Sequence, residues 1–352
     1  MDSIQTYLQG AKDAGASDLF LVAGKEVSMK AGGTIVPVHE GKIMPEDSEA
    51  LVRELYQLAG RPMDHYLEAG DDDFSLSIPN LARFRVNAYR QRGSMSAVIR
   101  VVNFGIPDWR EMGIPEEVMK IADLTRGLAL VTGPAGSGKS TTLACIVDAI
   151  NRTRKDHIIT IEDPIEYLHR NQESIVSQRE LDMDTDSYVT GLRASLRQAP
   201  DVILLGEMRD LDTIQTAITA AETGHLVLST LHTTGAANTI NRIIDVFPEG
   251  QQQQIRVQLA QELKTVVSQQ LLRTVDDKRV PAFEIMHLNP AIRNLVRDSR
   301  VHQIDSTIQT SKREGMVSMD DYILSLYQAG RISGETAVQA AMARDQMEKK
   351  VR

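Results

Sequence analysis

Cysteine is nearly absent from this chain: Cys145 is the single one in 352 residues. One thiol forms no internal disulfide and supplies no cysteine-based zinc module, so the sequence reads as that of a reduced, cytoplasmic protein. Aromatic residues are scarce as well, 4% of the chain with a single tryptophan, and acidic residues outnumber basic ones by 48 to 39. A net charge of −9 with few rings on which bases could stack argues against a nucleic-acid binder. No apolar run approaches the ~20 residues that cross a bilayer, and no basic leader precedes an apolar stretch at the N-terminus, so membrane contact is expected only through partners. The length suggests about two domains.

Against these absences stands one complete motif. Gly133, Pro134, Ala135, Gly136, Ser137, Gly138, Lys139 and Ser140 form a phosphate-binding loop, directly after the apolar stretch 128–131, where a buried strand would end. Glycines let successive backbone N–H groups turn toward phosphate oxygens, and the helix that follows through Thr141 and Thr142 adds its positive end. Lys139 supplies a point charge, and Ser140 is placed to put its hydroxyl on Mg²⁺. Cys145 falls on that helix as a small buried apolar residue.

The first hundred or so residues read as a small α+β unit. Residues 82–89 alternate strictly, which puts Phe84, Val86 and Ala88 on one face and Arg83, Arg85, Asn87 and Tyr89 on the other. Arg90 has the opposite parity to Arg83 and Arg85. A second strand over 97–102 pairs with this one across 91–94. Downstream of about residue 116 helices and strands alternate, with buried strands at 128–131, 158–161, 202–205 and 226–231, the pattern of a parallel α/β core. Beyond about residue 250 the chain reads as helical, at 255–272, 290–297, 318–330 and 333–347, with a short strand at 282–285.

Two strand ends offer carboxylates to a nucleotide site. Glu162, Asp163 and Glu166 cluster after the strand 158–161, an arrangement that is costly unless a cation or water faces it. Glu207 follows the strand 202–205 at its C-terminal edge, where open α/β sheets bind ligands, and reads as a metal or water-positioning group. His225 and His232 flank a third strand seven residues apart, a spacing that puts them on opposite faces and speaks against a zinc pair. Asp182, Asp184 and Asp186 resemble the start of a calcium loop, but Ser187 stands where its glycine belongs and Arg193 where its glutamate belongs, so that reading is rejected. Asp71, Asp72 and Asp73 read as a solvated acidic turn.

Taken in order, these motifs resemble the secretion-type ATPases, and within them the type IV pilus retraction branch, over essentially the whole chain. The acidic segment 160–167, the segment 200–210 that resembles a Walker B motif, and the histidine-containing segment 219–233 carry the likeness together with the phosphate loop. Residues 291–297, Ala-Ile-Arg-Asn-Leu-Val-Arg, are similar to the segment that the family needs for retraction. The extension ATPases usually carry a tetracysteine zinc site, which this chain cannot form.

The resemblance implies a PAS-like N-terminal domain over 1–104, a linker over 105–115, and a RecA-like domain over 116–352 whose helical region begins at about 276. It implies ATP and Mg²⁺ held by residues 133–141, the metal served by Ser140 and Glu207, Glu166 as general base, and His225 and His232 as site residues. Arg83, Arg85, Arg90 and Arg100 match family arginines, some of which reach the nucleotide. A homohexamer is implied, working with an inner-membrane platform protein and the pilus assembly machinery at the inner face of the cytoplasmic membrane. An extension or accessory motor, a type II secretion ATPase, or a regulatory subunit that hydrolyses little are the alternatives. Ala135, Phe20 and Gln198-Ala199 depart from the usual threonine, histidine and acidic pair.

Overall fold

A computed structural model describes residues 2–38, 40–79, 81–102 and 105–351. The chain divides into two compact units: residues 1–105 with the short segment 166–168, and residues 106–165 with 169–352.

The first unit opens with α1 (Ile4–Asp13), β1 (Asp18–Leu21), β2 (Ser28–Ala31) and β3 (Thr34–Pro37). It continues with α2 (Pro45–Ala59), α3 (Asp64–Ala69), β4 (Asp71–Ile78), β5 (Ala82–Gln91) and β6 (Ser94–Val102). All six strands pair antiparallel in the order β3-β2-β1-β6-β5-β4. The alternation along β5 emerges as read from the sequence, with Phe84, Val86 and Ala88 fully buried. β5 turns into β6 through Arg92 and Gly93, both at positive φ (50° and 80°), the backbone that a two-residue hairpin requires. Pro45 starts α2 and Gly60, left-handed at φ 62°, ends it. Its buried Leu51, Val52, Leu55 and Tyr56 face the sheet, each contributing about 1.5–3 kcal/mol by leaving water.

Asp71 to Asp73 do not form a solvated turn. They open β4, whose alternation sends Asp72 inward to 5% exposure. Its carboxylate accepts from Tyr56 Oη at 2.9 Å and from Arg61 Nε and Nη2 at 3.0 and 2.9 Å. Arg61 supplies the opposite charge that lets a carboxylate sit there.

The second unit contains α4 (Glu116–Met119), β7 (Gly127–Thr132), α5 (Lys139–Thr153), β8 (His157–Glu162), β9 (Ile175–Glu180) and α6 (Tyr188–Ser195). Next come β10 (Val202–Leu205), α7 (Leu211–Glu222), β11 (Leu226–Leu231), α8 (Ala236–Asp245) and α9 (Glu249–Glu262). β12 (Leu263–Arg273), β13 (Arg279–His287), α10 (Pro290–Arg297), α11 (Ile304–Thr310), α12 (Met319–Gln328), α13 (Gly334–Ala340) and α14 (Arg344–Val351) complete it.

The seven-stranded sheet has the order β13-β12-β7-β11-β10-β8-β9, parallel except for β13. Leu128 and Leu130 of β7 enter one hydrophobic cluster, Ala129 and Val131 the cluster on the other face. A sheet covered on both faces explains why its strands read as unbroken apolar runs.

The helix expected over 255–272 stops at Glu262, and the chain passes directly into β12. Ile255 and Leu259 keep the helical period, but Val266 and Val267 are β-branched and insert at the open side of β7. Without β12 the buried β7 would carry unpaired backbone groups on that side. β13 likewise extends well beyond the short strand expected at 282–285, and the helix expected over 333–347 is two, α13 and α14.

Candidate active site

Parallel strands bring their C-terminal ends to one edge. β7 delivers the loop 133–138 there, β11 delivers His232, β10 delivers Gly206 and Glu207, and β8 delivers Glu162 and Asp163. Order and direction of strands thus gather side chains that are far apart in sequence, on the ligand edge of an open α/β sheet.

Glycine is required at two points of the loop. Gly133 (φ 143°) and Gly138 (φ 91°) adopt backbone closed to other residues, and a Cβ on Gly133 would overlap the Gln269 carbonyl. A Cβ on Gly138 would lie 2.8 Å from Gln269 Nε2. Gly138 is also the N-cap of α5 and brings no side chain to cap it, so the first N–H groups of the helix face the loop. Lys139, 9% exposed, donates to the carbonyls of Gly133 at 2.9 Å and Pro134 at 3.1 Å and is held over the loop. Ser137 Oγ is buried with no hydrogen-bond partner among the described residues. A cradle of amide groups, an ammonium and an unsatisfied hydroxyl fits an oligophosphate. Ser140 and Thr141 are the second and third residues of α5.

Glu207 is 8% exposed although it lies beyond the end of its strand. Gly206 N donates to Ile161 O at 2.8 Å, Met208 N to Thr230 O at 3.1 Å, and Thr230 Oγ1 to Gly206 O at 2.7 Å, which lock the segment between β8 and β11. The Glu207 carboxylate pairs with Arg209, and its Oε2 lies 3.2 Å from His232 Nε2. That pairing makes Arg209 hold its proton more firmly than usual. Glu162, half-buried, accepts from Thr160 Oγ1 at 2.6 Å and Gln178 Nε2 at 3.1 Å, so its charge is taken up by its own strand and by β9.

His225 does not join this cluster. It precedes β11, its carbonyl accepts from Gly127 N at the start of β7, and its Nδ1 lies 3.0 Å from Ala220 O. Six strand residues, about 20 Å of extended chain, separate it from His232. Glu166 is exposed and belongs to the segment grouped with the first unit. Arg85 and Arg100 are exposed cross-strand partners in that unit; Arg100 Nε donates to Asp18 Oδ1 at 3.0 Å, and Arg83 Nη1 to Ser77 Oγ at 3.0 Å. Arg90 lies on the other side, its guanidinium 5.7 Å from the centre of the Tyr66 ring, as its parity requires.

Gln269 escaped the sequence reading, because the segment that carries it read as helix. It is 3% exposed, and its Oε1 accepts from Thr142 Oγ1 at 2.8 Å. With its carbonyl against Gly133 and its amide against Gly138, it braces both ends of the loop. The consecutive β-branched residues Thr265, Val266 and Val267 just before it were the available signal.

The family described as Type II/IV secretion system protein matches residues 2–343. The chain belongs to that family. It is 44% identical, over 97% of this chain and 98% of the relative, to the type IV pilus retraction ATPase PilT of Pseudomonas aeruginosa. The type IV pilus ATPase PilU of the same organism is 39% identical over 93% of this chain and 85% of its own length. Among solved structures, a pilus retraction motor PilT with bound ADP superimposes with a TM-score of 0.92 and 41% identity, over 99% of this chain and 100% of that one. The fold expected from the sequence, an α/β core with a parallel sheet, a preceding small domain and C-terminal helices, is the fold of that structure.

Proposed function

We infer that this protein is an ATP-hydrolysing motor that powers type IV pilus retraction. The observation that carries the reading is end-to-end likeness to PilT in both sequence and structure. A type II secretion system protein E from Xanthomonas campestris, by contrast, matches over only 52% of this chain. ADP in the related structure supports a nucleotide at the loop 133–138.

The residues present fit a nucleotide phosphate chain and a divalent cation. Lys139 and the N–H groups at the start of α5 would hold the β- and γ-phosphates. Ser140 and Glu207 would hold Mg²⁺, which neutralises charge on the phosphate oxygens during transfer. Glu207 pairs with Arg209 and would be oriented by His232, whose Nε2 lies 3.2 Å from its Oε2. Glu166 would take a proton from the attacking water as general base. Arg83, Arg85, Arg90 and Arg100 are candidates for phosphate contact in an assembled ring, and His225, at the far end of β11 from His232, would be a candidate only at another subunit's site. The working particle is a homohexamer at the inner face of the cytoplasmic membrane, coupled to the pilus machinery through a platform protein.

The test separates hydrolysis from retraction. On α10, Ile292, Leu295 and Val296 are buried, while Ala291, Arg293, Asn294 and Arg297 face outward. An Arg293→Ala/Asn294→Ala variant should hydrolyse ATP at a rate within about twofold of the wild type and fail to retract pili; normal retraction would count against the reading. The likeness to PilU supports a second reading, an accessory retraction motor. In that case the wild-type protein would restore retraction only where another motor is present.

A further inference from the structure

Glu284 has no part in the site described above, yet it is a carboxylate at 6% exposure in the middle of β13. Its Oε1 accepts from Ala236 N at 2.7 Å, and its Oε2 accepts from Met319 N at 3.4 Å. These are the first residues of α8 and of α12. One buried carboxylate therefore sits on the positive ends of two helices, which compensates the cost of removing its charge from water.

The two helices belong to different parts of the unit. α8 follows His232 after the loop 232–235, and its N-cap, Gly235, provides no capping side chain. The cap comes from the sheet instead: Ser268 Oγ accepts from Gly235 N at 2.9 Å, and Ser268 is the cross-strand partner of Glu284. α12 opens the C-terminal helices. Its Asp320 accepts from Met342 N at 2.7 Å and Ala343 N at 2.9 Å, binding the segment before α14 to the start of α12. Ile285 and Val317 exchange backbone hydrogen bonds of 2.9 and 3.1 Å beside the carboxylate, so β13 and the lead into α12 move together.

We propose that Glu284 is a positioning residue that couples the loop 232–235, at the nucleotide edge of the sheet, to the C-terminal helices α12 to α14. A shift of His232 with the state of the nucleotide displaces the start of α8, and the shared carboxylate passes that displacement to Met319. Burial raises the Glu284 carboxyl's pKa, and the two amide donors oppose that rise. The proposal rests on the ATPase reading.

Peptide-resolved hydrogen exchange on the full chain, with and without a non-hydrolysable ATP analogue and Mg²⁺, tests it. In the wild type the analogue should slow exchange over 133–142, over 232–237 and, by at least about threefold, over 317–322. In Glu284→Gln one oxygen still serves Ala236, but an amide donor faces the Met319 N–H. The responses over 133–142 and 232–237 should persist while that over 317–322 disappears; Glu284→Ala should behave alike. A merely structural role would change exchange over 317–322 equally with and without nucleotide and leave the response intact, which would overturn the proposal. Slowing over 133–142 without any over 317–322 in the wild type would also overturn it. No slowing over 133–142 would overturn the nucleotide site itself.

Discussion

His232 Nε2 lies 3.2 Å from Glu207 Oε2, joining the ends of two neighbouring strands, β11 and β10, in one polar contact beside the phosphate loop. The Glu207 side chain is mostly buried and that of His232 mostly exposed, so the imidazole is the member free to follow a ligand. His232→Ala should leave nucleotide affinity within about threefold of the wild type and lower turnover by about 10- to 100-fold, the scale of one misplaced polar group. Steady-state kinetics beside equilibrium binding of a fluorescent ADP analogue would check this; a loss confined to affinity would contradict it.

Gln269 predicts the opposite split. Gln269→Ala removes the acceptor of the Thr142 hydroxyl and the brace beneath Gly138. A lost buried hydrogen bond of about 1–1.5 kcal/mol corresponds to nucleotide binding weakened by about tenfold. Titration calorimetry with ADP and Mg²⁺ reads it directly.

Glu166→Gln and Glu207→Gln separate the general base from the metal group. The first should bind ATP normally and turn over at least ~10²-fold more slowly, because only proton transfer is lost. The second should also raise the Mg²⁺ concentration needed for half-maximal activity. If only Glu207→Gln gave the first pattern, the two roles would have to be exchanged.

Acid sensitivity should centre on His169. Burial lowers its pKa from 6.5 to about 4, its Nδ1 is buried with no hydrogen-bond partner among the described residues, and its backbone N–H donates to Gln178 Oε1 at 2.8 Å. The native state therefore binds fewer protons than the unfolded chain between those two values. The contribution is fully present above pH 6.5 and is lost as pH falls toward 4, on the order of 3 kcal/mol in all. Urea unfolding from pH 7 to 4.5 should show a shallower pH dependence in His169→Asn than in the wild type; parallel curves would rule the assignment out.

The phosphate loop, the four core strands and the β5–β6 pair were legible because each obeys a local rule: glycine spacing, an apolar run, strict alternation. β12 was not, because its strand state is imposed by the open side of β7, and no local pattern announces a missing neighbour. Asp72 was misread for a related reason, since the Arg61 that makes its burial tolerable is eleven residues away. Glu207 and His232 were readable as strand-end residues, whereas their contact required the strand order. His225 shows the limit of reading a motif as a unit: the same strand carries it and His232 to opposite edges of the sheet.

The central claim is that the loop 133–140 hydrolyses ATP, and one measurement bears on it most directly. Mg²⁺-dependent phosphate release by the wild type should be compared with that by Lys139→Ala. Robust turnover is expected in the wild type and a loss of at least ~10²-fold in the variant, with ADP binding lost as well. Equal rates in the two proteins would contradict it.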